Sequence, residues 1–138
     1  MAARARNILV GYDGSEAAQR ALDAAADLTG YGSSLAVVSV ASPPENGSSG
    51  GFTAPGGNVP ARRLLSEARR LLLRRHVTAR YIDAVGDPAQ MLIETARDLD
   101  ADLIVVGRRD RSPVRRLVLG SVSATVLRRA DCDVLVVH

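Results

Sequence analysis

Five short apolar runs, most of them stopped by glycine or a turn, alternate in this chain with four longer segments whose apolar residues recur at helical spacing. That alternation restricts the fold to an α/β architecture: an open parallel sheet with helices on both faces. The runs are Ile8-Leu9-Val10, then residues 35–40, 78–85, 103–106 and 134–137. Continuous β-branched stretches of this kind suit strands buried on both sides. The third run is the least continuous and is expected at a sheet edge.

The helical segments follow from the same spacing. Ser15 is placed to cap a helix through about Thr29, with Ala18, Ala21, Leu22, Ala25 and Leu28 facing inward. From Ala61, the residues Leu64, Leu65, Ala68, Leu71 and Leu72 form one stripe, with Arg62, Arg69 and Arg70 mainly on the other side. Pro88 opens a third helix whose Leu92, Ile93, Ala96 and Leu99 face inward, and residues 121–129 form a fourth with Val122 and Val126 on one side. Residues 41–60 hold five Gly, four Pro and three Ser, so residues 42–60 are expected to be a flexible surface loop inside one domain spanning 1–138.

Composition removes several classes of function. All 18 basic residues are Arg, so a Walker-type or Schiff-base lysine is excluded. Aromatic residues make up 3% of the chain, too few for the stacking platforms of single-stranded nucleic-acid binders. The net charge of +3 is concentrated in two places, 62–75 with six Arg and one Glu and 108–116 with five Arg and one Asp. No specific nucleic acid is therefore expected as a partner. Cys132 is the single cysteine, and His76 and His138 lie far apart, so no zinc-ligand spacing exists. No apolar run approaches the ~20 residues of a membrane helix, and residues 1–6 carry no signal-type apolar stretch; no membrane partner and a cytoplasmic location are expected.

The segment most indicative of function is the connection between the fourth run and the fourth helix: Gly107, two residues, Asp110, nine residues, then Gly120-Ser121. A glycine-punctuated loop from a buried strand into a helix start suits an anion, because the backbone can approach closely and the first helical N–H groups point at the ligand. Together with the opening NILVGYDGS of residues 7–15, the strand in 101–107 and the close in 120–137, this pattern resembles the universal stress protein family over essentially the full length. In nucleotide-binding members the loop reads G-x2-G-x9-G-[S/T]; here the spacing is intact and Asp110 replaces the second glycine.

The resemblance implies the strand order 3-2-1-4-5, which places a reversal of winding between strands 1 and 4, where open α/β sheets bind ligands. It implies a small regulatory or stress-response protein binding ATP, AMP or cyclic AMP there, ATP with or without Mg2+. The residues it points to are Gly11, Tyr12 and Asp13 after the first strand, Val40 after the second, Gly86 after the third, and Gly107, Arg108, Arg109, Gly120, Ser121, Val122 and Ser123 in the loop and helix start. Asp13 would meet a ribose hydroxyl or a nucleotide-bound Mg2+. Each has a plainer reading: Asp13 as a turn or cap residue, Val40 as the end of a buried strand, Gly86 as part of a turn, Ser121 as an N-cap.

Asp110 adds a side chain and a negative charge to the expected phosphate path, while Arg108, Arg109 and Arg111 beside it supply compensating charge. Asp98, Asp100 and Asp102 cluster at the opposite end of the sheet, where a solvated role is expected. No nucleophile and base are grouped near the crevice, so catalysis would amount at most to slow ATP hydrolysis. A rival reading is a nucleotide-free homodimeric interaction protein of the same fold. The uncharged last run, Val134-Leu135-Val136-Val137, would form an edge strand able to pair with a second copy, and the family resemblance implies such a contact.

Overall fold

The computed structural model describes residues 6–30, 32–41, 59–108 and 121–138. Its elements are β1 (Asn7–Gly11), α1 (Glu16–Leu28), β2 (Ser34–Ala41), α2 (Val59–Arg74), β3 (Arg80–Val85), α3 (Pro88–Asp98), β4 (Leu103–Gly107), α4 (Ser121–Arg129) and β5 (Asp133–Val137). The strands form one sheet in the order β3-β2-β1-β4-β5, every pair parallel. The reversal between β1 and β4 is therefore present, and β3 and β5 are the edges.

The pleat sorts side chains into two layers. Ile8, Val10 and Tyr12 of the first strand and its exit join Leu35 and Val37 of β2 and Leu103 and Val105 of β4 on one face, under Ala18, Ala21, Leu22 and Ala25 of α1 and Leu65, Ala68 and Leu72 of α2. Leu9, Ala36, Val38, Ile104 and Val106 point the other way, under Leu92 and Ala96 of α3 and Val126 of α4. Leu9, Val10, Val37, Ile104 and Val105 are completely excluded from water, which is why the three central strands read as continuous apolar runs.

Caps fix the helix ends. The Ser15 hydroxyl accepts from the Ala18 N–H at 3.1 Å, and Asp87 accepts from the Gln90 N–H at 3.0 Å with Pro88 following. After α2 and α3 the chain passes through left-handed His76 and Asp100 (φ 58° and 51°), and the Val77 and Ala101 N–H groups reach back to Leu72 and Ala96 carbonyls at 3.0 and 2.8 Å.

Three expectations need correction. Leu28 is exposed: it is the last residue of α1, and Ala25 and Ala26 supply the buried side of that turn. Val59 and Pro60 belong to α2 rather than to the loop, Pro60 fitting the first turn where its missing N–H costs nothing; the rest of that loop lies outside the described residues. The third strand begins at Arg80 and not at 78, since pairing with β2 starts only at Ala36↔Arg80.

Candidate functional site

The carboxyl ends of β1 and β4 lie side by side in the middle of the sheet, and each leads into the amino end of a helix. After β1 the chain turns through Tyr12, Asp13 and Gly14 into α1. An Asp13 carboxylate oxygen accepts from the Ser15 N–H at 3.0 Å, so the plainer reading of Asp13 as a turn-shaping residue is realised, and the side chain remains exposed. Gly14 has φ +82°, a left-handed conformation that a side chain would strain.

Tyr12 is placed differently from a ligand contact. Its N–H donates to the Val38 carbonyl at 2.9 Å, continuing the ladder, and its ring is 3% exposed in the α1/α2 layer. The hydroxyl donates to Glu67 on α2, and burial together with that bond raises its pKa above the usual tyrosine value. Its side chain is thus committed to the core, which leaves only backbone atoms for any ligand contact. Continuing the alternation of Ile8 and Val10 to position 12 would have signalled this orientation.

On the other side of the crevice, Gly107 ends β4 against the first turn of α1. A Cβ there would lie 2.5 Å from the Ala17 carbonyl carbon, so close helix–strand packing alone accounts for the glycine. Arg108 follows, half-buried. Its N–H donates to the Val137 carbonyl at 2.6 Å, and its guanidinium Nη1 lies 3.3 Å from Nδ1 of His138, toward β5. Arg109, Asp110 and Gly120 lie outside the described residues.

The helix α4 begins at Ser121, which is exposed, with Val122 packed against the α3/α4 layer and Ser123 buried. The N–H groups of residues 121–123 open the helix, as an anion site requires. The buried Ser123 side chain is not an outward donor like that of Ser121. Val40 sits at the end of β2, half-buried on the α3 face, and Gly86 at the end of β3 closes over Met91. The strand order puts β2 beside β1 but β3 one strand further from the crevice. The structure thus brings Gly11, Asp13, Val40, Gly107 and Ser121 to the same end of the sheet and leaves Gly86 at its margin.

A family profile described as the Universal stress protein family matches residues 4–138. The chain belongs to the universal stress protein family. Universal stress protein Rv1636 of Mycobacterium tuberculosis is 33% identical over 142 residues, covering 96% of this chain and 96% of the relative. A solved universal stress protein in complex with cAMP is also 33% identical, with a TM-score of 0.74 over 96% of this chain and 97% of that one. A universal stress protein from Archaeoglobus fulgidus is 26% identical, with a TM-score of 0.72 over 99% of this chain and all (100%) of that one.

Against that family frame, two contacts escape sequence reasoning. Arg20 of α1 donates through Nε to the His138 carbonyl at 2.5 Å, so Arg20, Arg108 and His138 meet at the carboxyl end of β5. His138 reads as a lone histidine in sequence because its partners are 30 and 118 residues away. At the opposite end, Asp102 is not merely solvated: its carboxylate accepts from the Asn7 N–H at 2.8 Å, while the Asn7 amide donates to the Asp100 carbonyl at 3.2 Å. Cys132 lies near this end, in a cleft of about 330 Å³ between α3 and the turn that follows α4. Burial and the charges of Asp133, Asp102 and Asp131 push its thiol pKa up, which keeps it protonated.

Among the described residues, no group of three or more His, Cys, Asp or Glu could hold a metal ion, and no helix is long and apolar enough to cross a membrane.

Proposed function

We propose that this chain binds an adenine nucleotide, with cyclic AMP or AMP preferred over ATP, at the crevice between β1 and β4, and that it serves as a regulatory stress-response protein. The observation that carries this reading is the winding reversal, which sets the Asp13 turn and the start of α4 at the ends of adjacent strands. The cAMP complex of a relative 33% identical over 96% of this chain supports the ligand class. The backbone of Gly11 and Tyr12 and the side chain of Asp13 would border the ribose, Val40 the base, and the N–H groups of Ser121, Val122 and Ser123 the phosphate. Arg108 and Arg109 would add positive charge. Asp110 disfavours a long phosphate chain, hence the preference for one phosphate. A Mg2+ carried in on ATP would meet Asp13.

Calorimetry with cyclic AMP, AMP and ATP tests the reading, alongside Gly120→Val, whose side chain would close the backbone approach. Binding that is lost in a folded Gly120→Val variant supports the site; equal affinity in the two proteins removes it. Asp110→Gly should strengthen ATP binding.

The edge position of β5 supports a second element of the reading, pairing of two copies along Val134, Leu135, Val136 and Val137. Leu135 is exposed on this strand, and beyond Asp133 its residues 134–137 carry no charge to discourage a partner strand. Val136→Lys should convert the dimer to a monomer in sedimentation. A wild-type protein that sediments as a monomer at micromolar concentration rules the pairing out.

A further inference from the structure

The outward face of α2 is a field of arginines without a carboxylate. Ala61, Leu65, Ala68 and Leu72 are buried against the sheet, and Arg62, Arg63, Arg69, Arg70 and Arg74 are all exposed. The only acid of the helix, Glu67, is withdrawn from this face by the Tyr12 hydroxyl. Arg75 shows how an arginine with a structural task behaves here: it turns back to α1 and pairs with Asp23 and Asp27. Of the five outward arginines only Arg62 has an acid within ion-pair range among the described residues, Asp83 at 3.8 Å.

This arrangement works against the helix. Arg70 and Arg74 are four apart, a like-charge spacing that costs about 0.2–0.5 kcal/mol. No acid occupies the first turn, where the helix dipole would favour one, and Arg62 and Arg63 stand close to that positive end. Leu73, 53% exposed, lies among the arginines. Among the described residues no ion pair offsets the clustering of Arg63, Arg69, Arg70 and Arg74, which leaves the face open to an acidic partner.

We propose that this face docks an acidic polypeptide segment. From Arg62 to Arg74 the basic stretch is about 18 Å long at 1.5 Å per residue, the length of about three helical turns. Carboxylates bound it, Asp83 beside Arg62 at one end and Asp23 and Asp27 beside Arg75 at the other, so a continuous phosphate backbone would be repelled where it left the face. Leu73 offers an apolar contact, which a polypeptide side chain can use and a phosphodiester chain cannot. Guanidinium groups pair with carboxylates in bidentate fashion, giving specificity as well as attraction. With 3% aromatic residues the chain has little with which to stack bases.

The test uses a fluorescent peptide of Glu-Glu-Glu-Leu repeats about three helical turns long, and a labelled DNA duplex of similar length. Both are titrated with the full chain at about 50 mM salt, where surface charge is only weakly screened. The wild-type protein should bind the peptide, and Arg63→Glu/Arg70→Glu/Arg74→Glu should weaken it at least about tenfold. All three positions are exposed, so the variant should melt like the wild type, which circular dichroism checks. Leu73→Ser should weaken the peptide about threefold and leave the duplex unchanged. The proposal is overturned if the peptide fails to bind, if charge reversal leaves its affinity intact, if Leu73→Ser has no effect, or if the duplex binds more tightly than the peptide.

Discussion

Gly107→Ala should destabilise the protein even when no ligand is present. The new Cβ would stand 2.5, 2.6 and 2.7 Å from the carbonyl carbon and oxygen of Ala17 and the nitrogen of Ala18. All three are backbone atoms of the first turn of α1, so no side-chain rotation relieves the clash. Either β4 or α1 must shift, and α1 is held by the Ser15 hydroxyl on the same Ala18 N–H. Overpacking costs about 1–3 kcal/mol, and loosening an N-cap adds about 1 kcal/mol. A loss of about 3 kcal/mol corresponds to a fall of about 10 °C in melting temperature for a domain of this size. Gly30→Ala is the control: nothing lies within 4 Å of its Cβ and its φ is ordinary, so stability should rise by about 0.5 kcal/mol through the unfolded chain. Thermal unfolding of the ligand-free proteins by circular dichroism measures both. A Gly107→Ala protein that melts within about 2 °C of wild type would refute the packing argument and return Gly107 to the ligand.

Three further outcomes follow. Tyr12→Phe should cost about 1–2 kcal/mol in urea unfolding, since Glu67 loses its donor. Because folding raises the Tyr12 pKa, its contribution is complete below the unfolded value of 10.0 and is lost as pH climbs above it; Tyr12→Phe should flatten that alkaline decline. His76→Gly should stabilise the protein by about 0.5–1 kcal/mol in the same assay, by relieving the left-handed conformation after α2. Cys132 should react with iodoacetamide at pH 7.5 more slowly than a model thiol, because burial and neighbouring carboxylates keep it protonated, and a rate equal to that of glutathione would contradict this.

Much of the fold was legible because its signals are local. The runs at Ile8, Leu35 and Leu103 are continuous for the same reason that they are central, being buried on both faces. Helix starts were written by Ser15 and by Asp87-Pro88, each acting on residues three or fewer away. The helical spacing misled at Leu28, which ends α1 exposed although Ala25 and Ala26 of the same turn are buried. The strand order came from family resemblance, as periodicity does not encode neighbours. At the candidate site, sequence placed Gly11, Asp13 and Gly107 at the carboxyl ends of strands, as the structure has them, but gave no side-chain directions. Tyr12 follows the pleat into the core, and Arg108 turns to His138, a residue 30 positions away in the chain. The Asn7–Asp102 bond spans 95 positions and leaves no local trace.

β1 precedes the other four strands of its sheet in the chain and is also the sheet's centre, which bears on the order of folding on the ribosome. A nascent chain that has released α3 can already assemble β3, β2 and β1, yet β1 still offers its second edge and a largely apolar sequence to any passing strand. Its neighbour β4 begins only at Leu103, and the Asp102 carboxylate that accepts from the Asn7 backbone N–H emerges one residue earlier. Protection of that edge therefore waits until β4 has emerged, and the interval before that is the one in which chaperone binding or aggregation of the emerging chain would be greatest.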